Sequence, residues 1–291
     1  MNLVTAGGTQ QRRPSASRVR AGRHAVPALP RCDFPAILAP RWDDPCGRPA
    51  TGQDGAPLTI APGRRARSTE AKAARREAIL DAARRLYEAA PTIEAVGIEE
   101  VARAAGVAKG TVYLYAPSKE ALFLALYERT TLAWLDRLEA RLAAKPAADP
   151  ARAGYAADAA RAAAAAVVGA CMEVPLMARL NAALHGSLEP RLDPDALYAV
   201  KIGMIERLNG IARDLGRVLG LPAREAAEVV PGLFVCMIGC HHVAMPPPNL
   251  AGLYERPEMA PYRLDFSRLM GNSLRDMFLG RLAARPEEPA C

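Results

Sequence analysis

From Ser68 onward the apolar positions of the chain recur at helical spacing. Ile79, Ala83, Leu86, Tyr87 and Ala90 fall at i, i+4, i+7, i+8 and i+11, an apolar stripe on a helix that Ser68 can cap and Pro91 must stop. The stretch "IEEVARAA" at 98–105 puts Ile98, Val101, Ala102 and Ala105 on one face, and Gly106 supplies the turn that ends a short helix. Val107 anchors that turn. "KGTVYLY" at 109–115 then gives two more helical turns, with Val112 inward and Lys109, Thr111, Tyr113 and Leu114 outward, closed by Pro117. Ser118 caps a long helix over 119–144, with Glu120 in its first turn and Leu122, Leu126, Trp134, Leu138 and Leu142 among its apolar positions. "KPAADP" at 145–150 breaks it. Further helical patterns run over 150–172, 175–188, 194–219, 222–245 and 263–284, punctuated by Pro or Gly, with no alternating strand pattern between them. The expected fold class is all-α.

Residues 1–66 break this regularity. They are rich in Pro, Gly and Arg, contain "QRRPSASRVRAGR" and have no apolar period, so they cannot bury enough surface to offset their ordering entropy. They are expected to be a disordered basic extension, although a transit peptide or a translation start placed too far upstream would look the same. A sharper alternative makes Arg64, Arg65 and Arg67 a DNA-hugging arm beside the folded domain. The expected organisation is this extension, a small helical domain at 67–128, a larger helical domain at 129–285 and a tail at 286–291.

Charge adds less than its total suggests. The net charge is +7, but residues 1–66 hold ten Arg against four Asp, leaving the remainder nearly balanced. A claim of nucleic-acid binding must therefore rest on local residues. The six cysteines form no CxxC pair and no zinc-finger spacing, which suits a reducing cytoplasm. The run "VVPGLFVCMIGC" at 229–240 is shorter than the roughly 20 residues of a membrane helix, and no membrane partner is expected. Phosphate-loop, HExxH and GxSxG motifs are lacking, so no catalytic residue, cofactor or enzymatic activity is expected. Cys236, Cys240 and His241 share one side of a helix, but cysteines there are ordinarily small core residues, and no metal site is assigned.

Two short helices around a glycine turn, backed by a supporting helix, match a helix-turn-helix, whose second helix lies in the DNA major groove; by spacing alone "KGTVYLY" also fits an ordinary surface helix whose tyrosines pack on neighbours. The outward residues suit that task. Lys109 can donate to guanine O6/N7 or to a phosphate, Thr111 can meet a base edge, and Gly110 lets the backbone approach. Leu114 can meet a thymine methyl. Tyr113 and Tyr115 carry hydroxyl donors for phosphates, and Lys119 with the start of the long helix forms an anion site.

The block "RREAILDAARRLYEAA...IEEVARAAGVAKGTVYLYAPSKEALFLALYE", residues 75–128, resembles the DNA-binding domain of TetR family transcriptional regulators. The resemblance implies that Lys109, Gly110, Thr111 and Leu114 face bases while Gly97, Tyr113, Tyr115 and Lys119 lie at phosphates. Three positions depart from the family pattern. Ala116 stands where the family usually has a phenylalanine, a vacancy costing about 3–5 kcal/mol unless refilled, for which Phe123 or Tyr87 is available. Gly97 replaces a capping Ser or Thr, and the loop "PTIEAVG" starts with proline rather than glycine.

For the remainder the resemblance implies an effector-binding and dimerisation domain. Met172, Met177, Asn181, His185 and Met204 offer an adaptable pocket lining with polar handles. Phe266, Leu269, Met270, Leu274 and Met277, with Gly271 and Ser273 as small neighbours, and Phe234, Met237 and His241 on the preceding helix, are expected at a four-helix dimer interface. The Pro231-Gly232 pair is expected to kink that helix. The implied function is a homodimeric repressor on an inverted-repeat operator in double-stranded DNA, released by a small-molecule effector, in the cytoplasm and nucleoid-associated when bound. The alternative is a helical ligand-binding or interaction protein that has lost operator binding.

Overall fold

The computed structural model describes residues 64–246 and 250–284; of the extension expected at 1–66, residues 1–63 lie outside them and 64–66 open the first helix instead, and the tail at 286–291 lies outside them. Among the described residues all regular structure is helical. Helix α1 (Arg64–Ala89) starts four residues before Ser68, so Ser68 lies inside the helix and does not cap it. Helices α2 (Ile98–Ala104) and α3 (Lys109–Tyr115) follow, then α4 (Lys119–Ala143), whose first turn is capped by Ser118 Oγ accepting from the Ala121 N–H at 3.0 Å.

The stripes read from the sequence become one small core. Ile79, Leu80, Ala83 and Tyr87 of α1 meet Val101 and Ala102 of α2, Val112 of α3 and Leu122, Phe123 and Leu126 of α4, all buried. Gly106 sits between α2 and α3 at φ +67, the left-handed region that costs other residues about 1–2 kcal/mol. Ala116 is buried, and the aromatic volume of this core comes from Tyr87 and Phe123, packed edge to face with centroids 5.4 Å apart.

The larger body is formed by the C-terminal half of α4 with α5 (Tyr155–Glu173), α6 (Leu176–Ala183), α7 (Pro194–Leu219), α8 (Ala223–Ala244) and α10 (Phe266–Ala283). Helix α5 buries seven alanine or valine side chains between Ala159 and Ala170, a smooth surface on which α4, α7 and α10 all pack. Trp134, Leu135, Leu138 and Leu142 of α4 fill the centre.

Some boundaries differ from the sequence pattern. Helix α5 starts at Tyr155, not 150, because Asp149 Oδ1 accepts from the Ala151 N–H at 3.1 Å and Gly154 turns left-handed at φ +75. The expected helix at 175–188 is α6 only to Ala183; Leu184–Leu188 widen into a π turn and Glu189–Arg191 tighten into a 3-10 turn. A short helix α9 (Ala251–Tyr254) and a 3-10 turn at Pro257–Tyr262 precede α10, which begins where Asp265 Oδ1 caps the Arg268 N–H at 2.7 Å.

Helix α8 runs unbroken through Pro231. At Gly232 an added Cβ would lie 2.7 Å from Met277 Sδ, a flexible side chain of α10 that must then shift, whereas Gly271 leaves an ordinary 3.7 Å to Val168 of α5. By length and mean hydropathy (1.5) α8 has the composition of a membrane-crossing helix, but its inner face, Ala226, Val230, Leu233, Met237 and Cys240, is buried in the bundle. Burial pushes the Cys236 and Cys240 thiols up, and no group of three or more His, Cys, Asp or Glu suited to a metal occurs among the described residues.

His241, near the end of α8, is held neutral: burial first, then the charges of His242 and Arg179, push its pKa down to about 4. A base whose folded pKa lies below its unfolded value near 6.5 withholds a proton that the unfolded chain accepts. Acidification from pH 7 towards pH 4 should therefore destabilise the protein through this group, with full stability above the unfolded value. Urea midpoints at pH 7 and pH 5 should fall further for wild type than for His241→Phe; equal falls would remove His241 as a contributor.

Candidate nucleic-acid interface

The chemistry of the small domain is concentrated where the α1–α2 loop, α2, α3 and the start of α4 surround an open groove of about 580 Å³, lined by residues including Glu94, Gly97, Glu99, Arg103, Lys109, Tyr113 and Lys119. Val112 points into the core, so the helical period turns the opposite face of α3 to solvent. Leu114 is 82% exposed and Tyr113 43%, while Thr111 and Tyr115 are half-buried. A leucine this exposed near the end of a short helix gains little from burial in the folded chain. At Gly110 a side chain would meet nothing within 4 Å, so the backbone there is open to approach.

The basic groups are not idle. Lys109 Nζ donates to Glu99 Oε1 at 2.7 Å, an exposed pair that raises the lysine pKa and lowers that of the carboxyl. Lys119 Nζ donates to the Glu94 carbonyl at 2.8 Å. Gly97 caps α2 with extended backbone, and its N–H donates to Glu100 Oε2 at 3.0 Å; a Cβ there would crowd the same oxygen at 3.1 Å. The expected DNA-facing residues Gly97, Lys109, Gly110, Thr111, Tyr113, Leu114, Tyr115 and Lys119 thus lie in one compact region, with Tyr115 the most inward of the aromatic pair because it packs on the core.

The body grips this head through two arginines that the sequence pattern does not single out. Arg179 on α6 stacks over the Tyr87 ring, 4.1 Å from its centroid, and donates to the carbonyls of Ala90 and, at 3.0 Å, Pro91. Those carbonyls close the C-terminus of α1, where a cation is favoured. Arg191 donates to Glu94 Oε1 at 2.6 Å, holding that carboxyl below its usual range. Only the folded α6 and its π turn bring residues so distant in sequence to one loop.

The expected pocket residues divide. Met177, Asn181 and Met204 are buried, whereas Met172 is 57% exposed and His185 pairs at the surface with Glu189 at 3.3 Å. The five come from different elements: Met172 from α5, Met177 and Asn181 from α6, His185 from the π turn and Met204 from α7. The expected dimer residues divide likewise. Met237, Met270 and Leu274 are fully buried inside the chain and hold α8 and α10 to the bundle, so they are corrected to core. Phe234, His241, Phe266, Leu269 and Met277 are only partly buried, and Val235 (69%) and Val243 (55%) stand out from α8.

An exposed reading helix on a head of α1, α2, α3 and the start of α4, carried by a helical body, defines a helix-turn-helix DNA-binding regulator. The family model described as "Bacterial regulatory proteins, tetR family" matches residues 79–126, and "Tetracyclin repressor-like, C-terminal domain" matches 128–285. The chain belongs to the TetR family of transcription regulators. No match was found among curated proteins. Similar solved structures include a TetR transcriptional regulator from Rhodococcus sp. RHA1, at 21% identity over 72% of this chain and 98% of that one, TM-score 0.43. Also similar are the fatty acid degradation regulator FadR from Bacillus halodurans (17%, 70% and 97%, TM-score 0.44) and FadR from Bacillus subtilis in complex with stearoyl-CoA (19%, 70% and 97%, TM-score 0.39).

Removing the Arg179 guanidinium should release the α1–α2 loop. Arg179→Ala is expected to destabilise the head by about 1.5–3 kcal/mol, the range for hydrogen bonds to charged groups. Amide exchange over residues 87–97 should accelerate, and Arg179→Lys should restore little, since an ammonium lacks the planar fork that stacks and caps together. Unchanged exchange in Arg179→Ala would show that the clamp does not hold the loop.

Proposed function

We propose that the protein is a homodimeric repressor that binds an inverted-repeat operator and is released by a small-molecule effector. The single observation that carries the DNA-contacting part is the solvent-exposed face of α3, Lys109, Tyr113 and Leu114, beside an open groove and opposite the buried Val112. In this reading Lys109, Gly110, Thr111 and Leu114 meet base edges, and Gly97, Tyr113, Tyr115 and Lys119 meet phosphates. A twofold assembly matches two half-sites. The outer face of α8, with Val235 and Val243, together with Phe234, His241, Phe266, Leu269 and Met277, is the surface offered to the second copy. Localisation to the cytoplasm and nucleoid follows from this role.

The effector site is proposed in the interior around Asn181, with Met177 and Met204 as adaptable walls and Met172 and His185 at its surface margin. Asn181 is fully buried between α6 and α8, its Oδ1 has no donor among the described residues, and its Nδ2 has only Met237 Sδ, at 3.9 Å. Thr131, also fully buried, donates to Met177 Sδ at 3.5 Å. A buried amide with only a sulfur partner, as at Asn181, costs stability that a hydrogen-bonding effector can recover.

The operator reading is tested by fluorescence anisotropy of the full-length protein against its own upstream DNA and a scrambled duplex at two salt concentrations. Specific binding that survives higher salt and weakens on Lys109→Ala is expected; equal binding to both duplexes would favour a ligand-binding protein without operator function. For the effector site, Asn181→Leu should raise the thermal midpoint, because an unsatisfied buried amide costs about 1–3 kcal/mol. A fall in the midpoint would show that Asn181 is a satisfied core residue.

A further inference from the structure

The Glu99–Lys109 pair is difficult to explain as a device for stability or for gripping DNA. Both side chains are more than half exposed, at 68% and 52%, and exposed ion pairs contribute little to folding. For binding a polyanion the pair is a handicap. Lys109 already holds a counter-ion belonging to the protein, so contacting a phosphate releases less, and the carboxylate 2.7 Å away repels that phosphate. A head selected only for backbone affinity would leave Lys109 free.

The major groove offers a better match. A G·C pair presents two adjacent acceptors, guanine O6 and N7, and beside them a donor, the cytosine N4 amino group. Lys109 opens α3 and Glu99 lies in the first turn of α2, and both line the same open groove. Their ammonium and carboxylate therefore present a donor beside an acceptor at hydrogen-bond spacing. Adenine also sets an acceptor beside a donor, but it gives the ammonium one acceptor in place of two, and its thymine partner adds O4 and a methyl group, neither of which suits a carboxylate.

We infer that Glu99 is a specificity-determining residue: with Lys109 it reads one G·C base pair in each half-site, Lys109 donating to guanine O6 and N7 and Glu99 accepting from cytosine N4. The same carboxylate weakens binding to every other duplex by repelling phosphate. Glu99 thereby widens the margin between operator and bulk DNA from both sides. This inference rests on the DNA-binding reading of α3.

The test is selection from a randomised duplex library by the full-length wild type, Glu99→Ala, Glu99→Gln and Lys109→Ala, followed by titration of the enriched and scrambled duplexes. Wild type should enrich a half-site with one G·C position that relaxes on Glu99→Ala and on Lys109→Ala alike, by ~10-fold, within the range for a good base contact. Glu99→Ala should bind scrambled DNA more tightly, with a steeper salt dependence, while Lys109→Ala binds it more weakly. Glu99→Gln, an amide suited to adenine, should shift the preference at that pair towards A·T. The inference fails if Glu99→Ala keeps the wild-type base preferences and tightens all duplexes equally, or if the relaxed position is A·T. A wild type that enriches no sequence would remove the DNA-binding reading itself, an outcome distinct from either of these.

Discussion

One continuous helix serves two cores. The N-terminal turns of α4 put Leu122, Phe123 and Leu126 into the head, and its later turns put Trp134, Leu135, Leu138 and Leu142 into the body. At 1.5 Å per residue its 25 residues make a rod about 37 Å long. Every other contact between head and body is arranged around that rod. Because one face is buried at each end, α4 cannot rotate or slide without disturbing close-packed side chains in both cores.

The rod alone would leave the head free to pivot about its entry point. Arg179 and Arg191 restrict that freedom by holding the α1–α2 loop from the side of α6, while Lys119 holds the same loop from α4. The loop is short, polar at its rim and pinned inside by Ile93 and Val96. Three cations therefore converge on a segment whose position sets the entry of α2, and through α2 the presentation of α3. Coupling between body and head has a defined physical route here: a change in α6 acts on loop carbonyls and one carboxylate rather than on the reading helix itself.

Much of this was legible in the sequence where a single local signal decides the outcome. The four helices of the head follow from apolar period, proline stops and the Ser118 cap, and Val112 against Leu114 gives the inner and outer faces of α3. The legible part ends where two distant segments must meet. Glu99 and Lys109 are ten residues apart and become partners only when the Gly106 turn folds α3 back on α2. Arg179 and Arg191 read as ordinary surface cations, and nothing local marks the carbonyls and the carboxylate they hold. The body misled more than the head because an apolar stripe shows which residues are buried, not what buries them: Met237, Met270 and Leu274 were consistent with a partner copy and are buried by their own chain. Asp265, directly before the apolar stripe that starts at Phe266, was a readable cap, and the expected start at 263 lies three residues ahead of the helix.

The π turn at Leu184–Leu188 bears on how such a molecule changes over evolution. A π turn is an α-helix carrying one surplus residue, and in an α-helix each residue accounts for about 100° of rotation. Losing one residue anywhere in "LHGSL" would let α6 run on as plain α-helix and swing the downstream chain through that angle, carrying Arg191 away from Glu94. Single-codon insertions and deletions in this short stretch are thus a genetic dial on the contact between body and head, one that leaves the composition of both cores untouched.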